Sequence, residues 1–192
     1  MRFFEKRPMA MIALGVIGIS LSSIFVKYSA APAAVTAAWR LLWTVALMTP
    51  VVWGSGTVRR ELLGVKGTVA FLSALSGVFL AIHFVLWFES LNQTSVASST
   101  TIVCTEVIWV CLGYRLFLGG RIPGRAALAI AVTLAGSVLI AFADSGSRGH
   151  LWGDVLALLA AVAVAGYTLI GRVVRAKTST SVYTYLVYAV CT

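Results

Sequence analysis

The stretch GTVAFLSALSGVFLAIHFVLWFES, residues 67–90, decides the fold. Before Glu89 it holds no Asp, Glu, Lys or Arg, and His83 is its one other ionisable side chain. A helix of about 20 residues crosses the roughly 30 Å hydrocarbon layer of a bilayer. Only a helix can do so while satisfying every backbone group inside a single segment.

Six further apolar runs flank it, at 9–28, 33–53, 94–117, 124–143, 151–171 and 182–192. The chain of 192 residues is 60 % hydrophobic and 11 % charged, with a mean hydropathy of +0.97. Ordinary soluble domains sit near 45–50 % and 25 %. This composition excludes a soluble globular domain, a disordered chain and a coiled coil, because one core cannot bury so much apolar side chain. The reading is an all-α integral membrane protein with six complete spans and a partial seventh. No cleaved signal peptide is expected, since the first run is too long and more spans follow.

Turn chemistry separates the runs. Pro32 suits the first turn of span 2, and Gly54-Ser55-Gly56 closes that span. Gly119-Gly120 and Pro123-Gly124 divide spans 4 and 5, and Asp144-Ser145-Gly146-Ser147 divides spans 5 and 6. Short links predict antiparallel packing of consecutive spans.

The net charge is +9, but position matters more than the sum. Arg2, Lys6 and Arg7 precede span 1; Arg59, Arg60 and Lys66 lie between spans 2 and 3. Arg115, Arg121 and Arg125 fall at the link of spans 4 and 5, and Arg172, Arg175 and Lys177 follow span 6. The opposite connections hold only Lys27 and Arg148, while Arg40 lies inside span 2. The positive-inside rule predicts a cytoplasmic N-terminus in a cell (plasma or inner) membrane. It also accounts for most of the charge without nucleic acid as a partner.

Small residues recur every four positions: Ser73, Gly77 and Ala81; Ala127, Ala131 and Ala135; Ala157, Ala161 and Ala165. Such stripes let helices approach closely in lipid. Cys104, Cys111 and Cys191 form no metal or disulfide pattern and read as small buried hydrophobes. Span 1 from Gly15 to Lys27 and span 6 from Asp154 to Arg172 share a weak likeness. Five spans separate their starts, so the copies would cross the bilayer in opposite senses, as in inverted-repeat transporters.

Several stretches together resemble the EamA-like permeases of the drug/metabolite transporter superfamily. They are GVIGISLSSIFVKYS (15–29), AAWRLL (37–42), LNQTSVASST (91–100) and LGYRL (112–116), with the Gly136 region of span 5. The resemblance implies ten spans in two five-span inverted repeats, and transport of small metabolites by alternating access without chemistry on the substrate. It implies residues 1–147 as the first repeat and 148–192 as the start of the second. The chain departs from the pattern in two places. Val107, not proline, follows Glu106, and Gly113-Tyr114-Arg115 stands where Gly-Glu-Arg is common. A ten-span permease needs roughly 300 residues, and an 11-residue seventh run reaches only about 16 Å. The expectation is therefore a truncated chain whose longer parent transports.

Arg40 is the leading candidate, about 10 Å deep, with Thr36, Trp43 and Thr44 at helical spacing. An arginine beside an indole suits an anionic or aromatic metabolite; the other reading is an arginine snorkelling to headgroups or fixing helix packing. Glu106 is the deepest acid, with Ser98, Ser99, Ile102, Trp109 and Gly113 on its face. It suits a proton-coupled step, or else a structural bond or an ion pair inside the bundle. His83, one turn before Trp87, reads first as an interhelical hydrogen bond and second as cavity lining. Glu89, Asn92 and Gln93 are expected to cap spans 3 and 4, and Trp39, Trp53 and Trp152 to anchor at the interfaces. Ser20, Ser22 and Ser23 either line a pore or bond their own helix, the latter being commoner.

The leading function is secondary active transport of small metabolites, with export of amino acids or related solutes. The alternative is a small oligomerising bundle without transport activity. A membrane enzyme is disfavoured, because His83 and His150 stand without catalytic or metal spacing. No cofactor is expected, and no phosphate-binding glycine loop points to ATP. The partners expected are the lipid bilayer and the solute.

Overall fold

The computed structural model describes residues 8–28, 30–144 and 151–192, and the regular structure among them is entirely helical. The helices are α1 (Pro8–Lys27), α2 (Ala33–Gly54), α3 (Gly56–Leu63), α4 (Gly67–Gln93), α5 (Val96–Cys104), α6 (Glu106–Leu118), α7 (Gly124–Asp144), α8 (Leu151–Val174) and α9 (Thr180–Cys191). Among the described residues, four segments are long and apolar enough to cross a membrane: Ala34–Gly54, Gly67–Gln93, Val96–Leu118 and Leu151–Val174. The expectation of six complete spans is thus met at spans 2, 3, 4 and 6. Helices α1 and α7 stand where spans 1 and 5 were expected and run for 20 and 21 residues. Arg2, Lys6, Arg7, Arg148, His150 and the Ser145–Ser147 break lie outside the described residues.

Span 4 differs from the uninterrupted helix expected. It changes pitch at Thr105, between α5 and α6. The Thr105 N–H and hydroxyl both donate to the Ile102 carbonyl, at 3.0 and 2.6 Å, and Ile108 N–H donates to Thr105 O at 2.9 Å. These three-residue bonds tighten the backbone into a 3₁₀ turn just before Glu106, with no proline involved. The loop between spans 2 and 3 also holds a helix, α3, that the charge pattern concealed.

The most extensive packing is between α4 and α8, spans 3 and 6, rather than between consecutive spans. Two of the small-residue stripes are buried at close helix crossings. Ala157, Ala160, Ala161 and Ala165 are buried on α8, where Ser76 of α4 donates to the Tyr167 carbonyl at 3.3 Å, while Ser73 and Gly77 are buried on α4, Gly77 against α9. The third stripe does not follow suit: Ala127, Ala131 and Ala135 are exposed on α7, which packs on α5. Helix α9 packs on α4 and α2. A Cβ added at Gly77 would stand 2.7 Å from the Val187 carbonyl oxygen, so only glycine fits that crossing.

Polar contacts sort the connections to the two ends of the bundle. At one end Glu61 accepts from Thr178 Oγ1 at 2.7 Å and from the Ser179 N–H, and Arg172 donates to the Tyr114 hydroxyl at 3.2 Å. At the other, Asp154 Oδ1 accepts from Thr94 Oγ1 at 3.0 Å and Ser98 Oγ at 2.9 Å. The arginine-rich connections after spans 2, 4 and 6 thus share one end.

Candidate functional site

Helix α2 positions Arg40 against α4. The guanidinium lies over the Phe84 ring, 5.2 Å from its centroid, a cation–π contact that suits a partly desolvated arginine. Its Nη1 is buried and has no hydrogen-bond acceptor. Tyr188 on α9 is close enough to interact with it electrostatically. Thr44 and Thr36 turn their hydroxyls onto carbonyls of their own helix, those of Arg40 (2.9 Å) and Pro32 (3.3 Å). They are therefore spent as ligand donors.

Helix α4 supplies an aromatic shelf beside the arginine. His83 is buried and donates its Nδ1–H to the Ala160 carbonyl of α8 at 2.9 Å. That bond fixes the tautomer, because a carbonyl oxygen only accepts. The His83 ring stacks on Trp87, 5.7 Å apart and 22° from parallel, and tilts against Phe84 at 5.2 Å. Trp87 and Trp109 each bury an indole N–H without an acceptor. Buried donors left unpaired are rare and call for an acceptor from elsewhere.

The six residues singled out in the sequence do not form one constellation. Arg40 and His83 are brought together through Phe84. Trp43 is 61 % exposed and faces away from the bundle. Ser99 is buried but engaged, accepting from Ser90 Oγ at 2.7 Å across the α4–α5 contact. Glu106 and Trp109 stand half-buried on α6, and among the described residues no hydrogen bond, ion pair or ring contact joins them to Arg40. Ser98 belongs to Asp154 rather than to the face of Glu106, and Gly113 is buried against Leu169.

Other expectations resolve locally. Gln93 donates to Glu89 at 2.8 Å along α4, so these two brace one helix. The cap of α5 is instead Ser95, whose Oγ accepts from Ser98 N–H at 3.0 Å. Ser20 donates to the Val16 carbonyl, the commoner reading, while Ser22 and Ser23 fall outside the described side chains. Trp39, Trp53 and Trp152 are exposed, as interfacial anchors must be.

The polar bridges are not legible in the sequence pattern, where Asp154 marks only the start of the repeat likeness and Glu61 carries no signal of its own. The Ser179 N–H, then the Ser179 and Thr178 side chains, hold the Glu61 carboxyl below its usual range. Tyr183 donates or accepts at Ser76 (2.6 Å) beneath α8, where nothing in the pattern flagged it. Among the described residues no group of three His, Cys, Asp or Glu side chains converges as metal ligands do.

The aromatic shelf of Phe84, His83 and Trp87 and the buried, unbonded Nη1 of Arg40 thus lie inside a bundle of apolar helices. The model of the EamA-like transporter family matches residues 6–142. The chain belongs to this family. No curated protein matches it, and no solved structure does. EamA-like proteins are multi-pass membrane transporters of small solutes, so the bilayer and a small solute are this chain's partners. All six candidate residues fall inside the EamA match, whereas Asp154, Tyr183 and Tyr188 follow it.

Proposed function

We propose that this protein is a secondary active transporter that exports an amino acid or a related solute by alternating access. The solute carries an anionic or aromatic group, held by Arg40 beside Phe84, His83 and Trp87. The observation that carries this reading is the buried, unpaired Nη1 of Arg40. A cation inside a span is costly and faces a partner or a cavity. Here it meets the Phe84 ring and the Tyr188 side chain, and the buried indole N–H groups of Trp87 and Trp109 are donors as well, so a carboxylate is the complement that both arginine and indole lack. A helical bundle without transport leaves that arrangement without a purpose.

The proposal also includes two inverted five-span repeats, 1–147 and from 148 onward, in a cell membrane with a cytoplasmic N-terminus. Proton coupling is assigned to Glu106, which stands just after the turn at Thr105. A turn of this kind is a natural hinge.

A thermal-shift screen of amino acids and related anions on the purified protein is the direct test. A stabilising solute should lose its effect in Arg40→Ala and keep part of it in Arg40→Lys. A solute that stabilises Arg40→Ala as strongly as the parent removes Arg40 from the site. Glu106→Gln should abolish the pH dependence of uptake into proteoliposomes; unchanged dependence removes the proton role.

A further inference from the structure

At the arginine-rich end, α6 and α8 part around an open cleft of about 260 Å³. Val110, Cys111 and Tyr114 line it from α6, Leu169 and Arg172 from α8, and Arg175 just beyond. Arg172 lies over the Tyr114 ring at 4.3 Å and donates Nη2–H to its hydroxyl. Arg175 donates Nε–H to the Gly171 carbonyl at 3.3 Å. Both guanidiniums are thus oriented by neutral groups, and among the described residues no carboxylate lines the cleft. On the other side of Leu169 runs a second cleft of about 280 Å³ between α4, α6 and α8. Its walls include Leu72, Phe79, Phe117 and Ile170, and nothing polar faces it.

Two uncompensated cations therefore stand over apolar walls, with a hydrocarbon-lined cleft alongside, in a protein surrounded by lipid. We propose that the α6–α8 cleft binds an anionic phospholipid, its phosphate against Arg172 and Arg175 and its chains along the apolar walls. Basic pockets between membrane helices recognise acidic headgroups in this way. A soluble anion satisfies the arginines but leaves the apolar walls empty. The proposal depends on membrane residence and not on transport, so it stands or falls separately from the role of Arg40.

The test is native mass spectrometry of the purified protein titrated with phosphatidylglycerol or phosphatidylcholine. Phosphatidylglycerol should bind more tightly. The pair Arg172→Ala and Arg175→Ala should weaken it by about fivefold per arginine and leave phosphatidylcholine unchanged. Tyr114→Phe keeps both charges and should retain the lipid, as should the double lysine variant, which guards against a folding artefact. Millimolar inorganic phosphate should not displace the lipid. Equal binding of the two lipids, full binding by the double alanine variant, or displacement by phosphate overturns the assignment.

Discussion

Ser98 on α5 donates to Asp154 on α8 across 2.9 Å, and the same carboxylate oxygen accepts from Thr94. The carboxylate stands in the first turn of α8, where the helix dipole favours negative charge. Gly153 makes the approach feasible, since a Cβ there would meet the Thr94 side chain at 2.9 Å. Interhelical hydrogen bonds in membrane proteins are each worth about 0.6 kcal/mol and at most about 1.7. Asp154→Ala should therefore destabilise by about 1–2 kcal/mol in chemical denaturation from mixed micelles. A double-mutant cycle with Ser98→Ala should give a coupling of about 0.5–1.5 kcal/mol. Strict additivity would mean that the contact carries no energy.

Gly77 lets α4 and α9 touch. Alanine there must push back the Val187 backbone, because its Cβ would stand 2.7 Å from that oxygen. Overpacking of this kind costs about 1–3 kcal/mol. Gly136 on α7 has nothing within 4 Å of its Cβ position. Gly136→Ala should be neutral or gain up to about 1 kcal/mol of helix propensity. A thermal melt of the two variants side by side reads the difference, and equal melting temperatures would contradict the crossing.

Glu61 ties α3 to the start of α9. Its carboxyl sits below the ordinary value, held there first by the Ser179 N–H. A group with a depressed folded pKa adds stability above its unfolded pKa, and that stability is lost as pH falls through the folded value. Melting temperature should therefore drop as pH is lowered through about 4.5 and below. Glu61→Gln should flatten that part of the profile. The effect is small, because Glu61 is solvent-screened. An unchanged acid limb in Glu61→Gln would assign it to other groups.

Much of the architecture was legible because lipid imposes a simple rule. A run of some twenty apolar residues has few options, and the arginine spacing tells alternate connections apart. The packing partners were harder to read. Periodic alanines look alike on α7 and α8, yet only those on α8 meet a facing groove, so the stripe at Ala127 misled. The site was half legible: Arg40 and His83 stand out as polar groups in apolar runs. Which neighbours they meet depends on helix rotation, which a nearly all-apolar segment does not encode. Trp43 therefore read as a neighbour of Arg40 and turned outward, and Phe84, which lies under the guanidinium, passed as one more apolar residue.

That rotation makes a discriminating test between two tryptophans. Trp87 stacks on His83 with its indole N–H buried and unpaired, whereas Trp43 faces the surroundings. Trp87→Phe keeps an aromatic ring on His83 and deletes the donor together with the second ring of the indole. A lost hydrogen bond to a ligand is worth about 0.5–1.5 kcal/mol, or about 2–12-fold in affinity. Once a stabilising solute is found, its dissociation constant should rise by that factor in Trp87→Phe and stay within about twofold in Trp43→Ala. The lost donor should matter less for an analogue whose carboxylate is replaced by an amide, because a neutral acceptor bonds more weakly than a charged one. If Trp43→Ala instead weakens binding and Trp87→Phe does not, the solute lies on the outward face of α2, and the aromatic shelf is packing alone.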